Sequence, residues 1–271
     1  MPELPEVETI VRGLAPHLPG KRIEKMIIRE TRFRYPLSKD YADWMRGQSI
    51  HCVERRAKWL VLFSDYGYTL IHLGMSGRVQ LLSGSVAVKK HDHIDWCFSD
   101  HSVLRFNDPR RFGSVSFSEE DIAQEKHFLS LGPEPLGNQF NAAYLQGMLK
   151  GRTIPIKAAL MDNKVVVGVG NIYAQEALFQ AAIHPLRPCN QLTGDDFERL
   201  FLCVSDVLNR AIAAGGSSIK DFVDENGHKG YFQHHFSVYG KEGVACAHCA
   251  QILIKTKINQ RSTVFCPQCQ L

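Results

Sequence analysis

The chain has 271 residues, 44% of them hydrophobic and 22% charged, enough for one large globular domain or two to three smaller ones with real cores. Its formal net charge of +4 excludes a polycationic chain, so any nucleic-acid surface must be local. No apolar run approaches the ~18 residues of a membrane span, and the acidic start lacks the regions of a signal peptide, so the expected location is the cytoplasm.

The stretch from Met1 to Val7 holds two prolines and two glutamates. Pro5 is predicted to open a helix, with Glu6 and Glu8 in the first turn, where carboxylates suit the dipole. Val7, Ile10, Val11 and Leu14 then form one apolar face. The same stretch also has a chemical reading. A proline in second place permits trimming of Met1, which leaves Pro2 as a free secondary amine beside the Glu3 carboxylate. An α-amino group titrates near pH ~8, so a useful fraction is nucleophilic at neutral pH. Its attack on a sugar aldehyde carbon gives a cationic iminium, an electron sink for elimination, with Glu3 able to move protons beside it. These residues alone leave the plain helix start and the catalytic terminus both open.

From Arg22 to Phe117 the pattern is one of strands: 23–29, 50–53, 58–64, 68–73, 79–82, 94–98, 103–106 and 114–117, with a hairpin-like turn at Asp65 to Gly67. About eight short strands with turn signals between them predict an antiparallel sandwich or barrel, flanked by the first helix. Leu131 to Gly137 carries two prolines and two glycines and reads as a linker. Helical periods follow at 141–150, 156–162, 171–182 and 193–214, the last capped by Thr193 with Asp195 and Asp196 behind it. Gly215 to Tyr231 reads as a long polar loop, either a lid or an ordinary surface excursion. The expected organisation is a domain over residues 1–130, a linker over 131–137, a helical domain over 138–236 with a loop at 217–231, and a metal-bound hairpin over 237–271.

Cys246, Cys249, Cys266 and Cys269 form two pairs with 16 residues between them, a spacing that puts four thiolates around one tetrahedral zinc ion. Four thiolates leave no open position, so the metal is structural and replaces the core that so short a module lacks. Disulfides and His248 as a ligand are the alternatives. The remaining cysteines, Cys52, Cys97, Cys189 and Cys203, are expected to be small buried hydrophobes. Between the pairs, Ile252 to Phe265 has a hairpin pattern that exposes Lys255, Lys257 and Arg261, either as phosphate contacts or as a solvated face. Gly168 to Asn171 is a glycine turn that opens a helix, which offers backbone N–H groups to a phosphate. Phe106 to Gly113 is a strand followed by a turn with Arg110, Arg111 and Phe112, either a salt-bridged turn or a wedge with phosphate clamps. Met75 lies between Gly74 and Gly77 at a strand end, where most methionines are core filler.

Taken together, the stretches 2–9, 55–58, 72–77, 91–93, 107–113, 131–136 and 168–173 and the four-cysteine finger resemble the bacterial formamidopyrimidine-DNA glycosylases, in that family's order and over the whole chain. The resemblance implies an α+β architecture: an N-terminal β-sandwich with flanking helices, a helical helix–two-turn–helix domain and a β-hairpin zinc finger. It implies a glycosylase and abasic-site lyase that removes 8-oxoguanine and formamidopyrimidines from double-stranded DNA and cuts the strand by β,δ-elimination. In that scheme Pro2 is the nucleophile, Glu3 its acid/base partner and Glu6 a support. Lys58 is a proton donor or phosphate contact in β-elimination, and Arg261 assists δ-elimination. Met75, Arg110 and Phe112 fill the gap left by the extruded base. Lys157 and Asn171 bind phosphate, and His91, Arg110 and Arg152 are further DNA contacts. One structural zinc ion, a monomeric state and a place on chromosomal DNA in the bacterial cytoplasm complete the expectation. The match around Arg152 is loose, and the loop at 217–231 yields no base-reading residues.

Base removal from a duplex requires the nucleotide to be flipped and the void filled, in keeping with these roles. Two rivals remain open: the endonuclease VIII-like glycosylases, which prefer oxidised pyrimidines, and a non-catalytic DNA-binding protein with a zinc ribbon.

Overall fold

The computed structural model describes residues 1–84, 86–217 and 232–271. The chain divides into two compact units. One is Met1–Glu125 with the stretch that begins at Ala214; the other is Lys126–Ala213 with Phe232–Leu271.

The first unit begins with α1 (Leu4–Leu14), one residue earlier than the proline signal suggests, because the Glu6 carboxylate accepts the Glu3 backbone N–H at 2.8 Å and closes the turn ahead of Pro5. Val7, Ile10, Val11 and Leu14 are all buried, as their spacing requires. Eight strands follow: β1 (Ile23–Ile28), β2 (Ile50–Arg56), β3 (Trp59–Ser64), β4 (Gly67–His72), β5 (Arg78–Leu82), β6 (Asp92–Phe98), β7 (Val103–Asn107) and β8 (Ser114–Ser118). They form two four-stranded antiparallel sheets, ordered β1-β6-β7-β5 and β2-β3-β4-β8. Alternate residues of both, among them Leu60, Leu62, Ile71, Ile94, Trp96, Leu104 and Phe106, join the apolar face of α1 in one core.

A short helix that periodicity does not announce, α2 (Tyr41–Met45), adds Tyr41 and Met45 to that core. The buried Tyr41 hydroxyl accepts from Trp96 Nε1 at 2.9 Å and pairs with Thr69 Oγ1 at 3.0 Å, so its polar atom is satisfied where it packs. On another face of the first sheet, Arg105 makes a two-point contact with Asp95 (2.8 and 2.9 Å) and reaches Asp92 at 3.2 Å. Burial alone would raise the Asp95 carboxyl, but hydrogen bonds from Arg105 and Arg29 hold it below its usual range.

The second unit contains α3 (Ala142–Leu149), α4 (Ile156–Leu160), α5 (Asn171–Gln180), α6 (Gly194–Ala213) and a hairpin of β9 (Ile254–Ile258) and β10 (Arg261–Phe265). Asn141 caps α3 through Tyr144 N. Thr193 and Asp196 cap α6 reciprocally: Asp196 N donates to Thr193 Oγ1 and Thr193 N donates to Asp196 Oδ2. α5 is buried along nearly its whole length, between α6 on one side and β10 on another. The hairpin therefore shares a compact unit with the helices.

Of the four scattered cysteines only Cys189 is buried; Cys52, Cys97 and Cys203 are half-exposed, contrary to expectation. In each case the fold leaves the thiol partly uncovered, at Cys97 even between the buried Trp96 and Phe98. Burial pushes the Cys189 thiol up to about 11. The loop expected over 217–231 lies, from residue 218 onward, outside the described residues.

Candidate active site and metal centre

The chain start is held by carboxylates. Met1 is exposed and Pro2 half-buried, whereas Glu3 and Glu6 are buried. Glu6 Oε2 accepts from Glu3 N, and Glu6 Oε1 accepts from both the backbone N–H and the hydroxyl of Ser217 at 2.8 Å. Gly216 precedes this contact at φ +77°, with room for a Cβ only 3.3 Å from Glu6 Oε1. One side chain thus joins residue 3 to residue 217, a link no local pattern announces. α1 is braced on β2 by Glu8, which accepts from Arg55 Nε at 2.8 Å. Burial would raise Glu8, and Arg55 and Arg12 together bring it below its usual value. Lys58 is buried in the two-residue turn between β2 and β3, where Ala57 adopts φ 54°.

Met75 and Phe112 lie on two loops of the first unit and are 42% and 46% exposed. The Arg110 guanidinium sits 4.6 Å from the centre of the Phe112 ring. Gly74, at φ 60°, permits the close approach of the two loops: a Cβ there would stand 2.4 Å from the Phe112 carbonyl carbon. His91, at φ 73°, is half-buried, with its ring 6.1 Å from that of His93.

In the second unit, Lys157 is fully buried. Its ammonium donates to Asn171 Oδ1 at 2.6 Å and to Thr263 Oγ1 at 2.7 Å, which ties α4, the start of α5 and β10 together. Asn171 Nδ2 and Gln175 Nε2 both donate to the Ser262 carbonyl, and Gln175 Oε1 accepts from Val264 N. Arg261 is exposed at the first position of β10, after the Asn259–Gln260 turn, whose residues both take positive φ. It borders a groove of about 500 Å³ with Ile154, Met161 and Asp162. Arg152 is half-exposed and 3.8 Å from Asp162.

The thiols of Cys246, Cys249, Cys266 and Cys269 lie within 4.8 Å of one another, with Sγ–Sγ distances of 3.9 Å for Cys246–Cys269 and 3.5 Å for Cys249–Cys266. Zinc–sulfur bonds of ~2.3 Å in a tetrahedron require about 3.8 Å between sulfurs, so the four fit one zinc ion. The His248 and Cys269 backbone N–H groups point at Cys246 and Cys266 sulfurs at 3.4 Å, donors that suit thiolates. His248 instead stacks its ring 4.8 Å from Phe179, outside the cluster.

Three carboxylates escaped the reading of the sequence: Ser217's partner Glu6 in its bridging capacity, Asp108 beneath the 108–113 turn, and Glu176. The last is buried on α5 and accepts the backbone N–H groups of Ser237, Val238 and Tyr239 at 2.7–3.0 Å. Only a backbone trace could reveal such partners, since any non-proline residue supplies the donor.

Comparison with known proteins agrees with these features. Residues 1–115 match the formamidopyrimidine-DNA glycosylase N-terminal domain, residues 131–223 its H2TH domain, and residues 245–271 the zinc finger found in FPG and IleRS. The formamidopyrimidine-DNA glycosylases of Laribacter hongkongensis and Shewanella amazonensis are 46% and 47% identical to the chain, each over 100% of it and 100% and 99% of themselves. A Lactococcus lactis FPG variant solved with Fapy-dG-containing DNA superposes with a TM-score of 0.92 at 32% identity, covering 99% of both chains. The MutM (Fpg) protein of Thermus thermophilus superposes with a TM-score of 0.88 at 34% identity, over 99% of this chain and 98% of its own. The chain belongs to the formamidopyrimidine-DNA glycosylase family of DNA-repair enzymes, with a four-cysteine site for one structural zinc ion.

Proposed function

We propose that the chain is a bifunctional glycosylase and abasic-site lyase that excises 8-oxoguanine and formamidopyrimidines from double-stranded DNA through a Schiff base at Pro2. The observation that carries this reading is the chain start, where a half-exposed proline stands beside two buried carboxylates, one of them hydrogen-bonded to the backbone that bears it. With Met1 removed, the Pro2 nitrogen attacks C1′ of the damaged nucleotide and the glycosidic bond breaks, the base leaving with its electron pair and a proton. Loss of the amine proton and protonation of O4′, with Glu3 as carrier, open the sugar ring and leave an iminium. A secondary amine keeps that iminium cationic at every pH, so it draws electrons from C2′. Removal of a C2′ proton expels the 3′ phosphate, and a second elimination from C4′ expels the 5′ phosphate.

Lys58 serves the first elimination as proton donor or phosphate contact, and Arg261 the second. Met75, Arg110 and Phe112 fill the void left by the flipped nucleotide. Asn171 and the N-terminal N–H groups of α5 bind a phosphate; Lys157, expected to share that contact, is fully buried with its ammonium on Asn171 and Thr263, and acts on the phosphate only as positive potential behind Asn171. His91 and Arg152 are further backbone contacts, so affinity falls as salt rises. The protein works as a monomer on chromosomal DNA in the cytoplasm; among the described residues no helix is long and apolar enough to cross a membrane. Solved relatives hold Fapy-dG-containing and abasic DNA, which supports the substrate class.

Borohydride trapping on a duplex with 8-oxoguanine opposite cytosine, followed by mass mapping, tests the reading. A cross-link at Pro2 is expected. A cross-link at a lysine moves the nucleophile elsewhere, and tight binding without any cross-link leaves a non-catalytic reader of damage.

A further inference from the structure

Asp108 is fully buried, and nothing above gives it a task. Its Oδ1 accepts the Ser76 hydroxyl at 2.8 Å and the Arg110 backbone N–H at 3.3 Å. Its Oδ2 accepts the Gly113 backbone N–H at 2.8 Å. Its main-chain carbonyl meets His93 Nε2 at 2.9 Å, which anchors the turn to β6. The donors come from both loops: Ser76 follows Met75, whereas Arg110 and Gly113 bracket the turn that carries Phe112. Together with the backbone approach at Gly74, this carboxylate makes one body of two segments more than thirty residues apart in sequence, Ser76 and Asp108 being separated by 32.

The three side chains carried on that body are exposed. Met75 and Phe112 leave nearly half of their surface open, so where they stand depends on how their bases are fixed from below. A duplex tests that fixing, because a side chain that enters a base stack is pushed back by the stack, and a loose base gives way.

The geometry points to Asp108, with Ser76, as the positioning pair that sets Met75, Arg110 and Phe112 as one rigid wedge. This rests on the gap-filling role proposed for those three residues. Asparagine at 108 turns one acceptor into a donor that faces the backbone N–H of either Arg110 or Gly113, groups that cannot accept it, so the turn that carries Phe112 loses one of its clamps on this side chain. Loss of the Ser76 hydroxyl releases the Met75 loop alone.

The test compares excision of 8-oxoguanine from a duplex with cleavage of an abasic site in single-stranded DNA, where no stack has to be opened. Asp108→Asn should lower the ratio of the two rates about tenfold, the effect expected when a buried hydrogen bond is replaced by a clash of donors. Ser76→Ala should lower it a few-fold, and Ser76→Thr, which keeps the hydroxyl, should restore it. A fall of both rates together in Asp108→Asn and Ser76→Ala marks a merely structural role and overturns the inference, as does no change in either. Should Asp108→Asn fail to fold, the Ser76→Ala and Ser76→Thr pair decides. Met75→Ala and Phe112→Ala serve as references. If they lower the ratio and the Asp108 and Ser76 variants do not, only the positioning inference fails; if they leave it unchanged, the gap-filling reading fails and takes the inference with it.

Discussion

Glu6 and Lys157 are both buried ionisable groups, and they are held in opposite ways. Glu6 accepts backbone N–H groups from residues 3 and 217 and one hydroxyl. Lys157 donates to two particular side chains, those of Asn171 and Thr263. A carboxylate that binds backbone needs only the right path of the chain, since almost every residue supplies an N–H. An ammonium that binds side chains needs the right residues as well as the right path. The first unit accordingly positions its chain terminus through main-chain geometry. The second positions its hairpin through residue identity, with a metal site a few residues beyond.

The largest break in that comparison should come from the metal. Chelation or Cys249→Ser should drop bound zinc from about one per chain to none and remove on the order of 10 kcal/mol of metal-linked folding energy from the hairpin. Hydrogen exchange should then rise at Thr263 and Val264 while α1 and the sheets stay protected. Retained protection of β9 and β10 without metal would mean that Lys157 and Gln175 suffice to fold them.

A charge bound to charges gives a third case. Asp95→Asn leaves Arg105 and Arg29 without their shared partner and should cost about 3–4 kcal/mol in urea unfolding. Because the folded carboxyl lies below its ordinary value of 3.8, its stabilisation is fully present above that pH and fades as pH falls through the depressed folded value. The variant should therefore lose stability less steeply than the parent in acid; equal slopes would show that other carboxylates dominate.

Lys157→Met should cost about 2 kcal/mol by leaving the Asn171 and Thr263 oxygens short of a donor. Combined with Thr263→Val, the loss should be smaller than the sum of the two single losses, because the two share one interaction. Strict additivity would contradict the coupling.

The smallest effect is expected at Glu6→Gln, about 1 kcal/mol: glutamine keeps one acceptor oxygen, and its amide nitrogen leaves only one backbone N–H, that of Glu3 or Ser217, facing a donor. Trapping at Pro2 should fall further than duplex affinity does. An equal fall in both would assign Glu6 to binding.

The strands and helices were legible because their signals are local. Short apolar runs with turn signals between them marked all eight strands of the sandwich, and the i, i+3, i+4, i+7 spacing marked the buried face of α1. The four cysteines announced their site because two thiolates with two residues between them in a turn already define half a tetrahedron. The short α2 was missed because five residues hold too little periodicity to detect, and its place is set by the Tyr41–Trp96–Thr69 contacts. The half-exposed Cys97 was misread because burial depends on what covers a sheet face, not on the strand itself.

By itself, then, the sequence determined the kind and approximate place of most elements, the four cysteines that gather for a metal and the family the chain resembles, all of which rest on neighbours within a turn or two or on motif order. Only the tertiary structure decided that Glu6 joins residue 3 to residue 217, that Lys157 is buried against Thr263, and that Asp108 binds two loops into one. Each of those rests on a hydrogen bond about 3 Å long between segments far apart in the chain, and such a distance has no signature in composition or period.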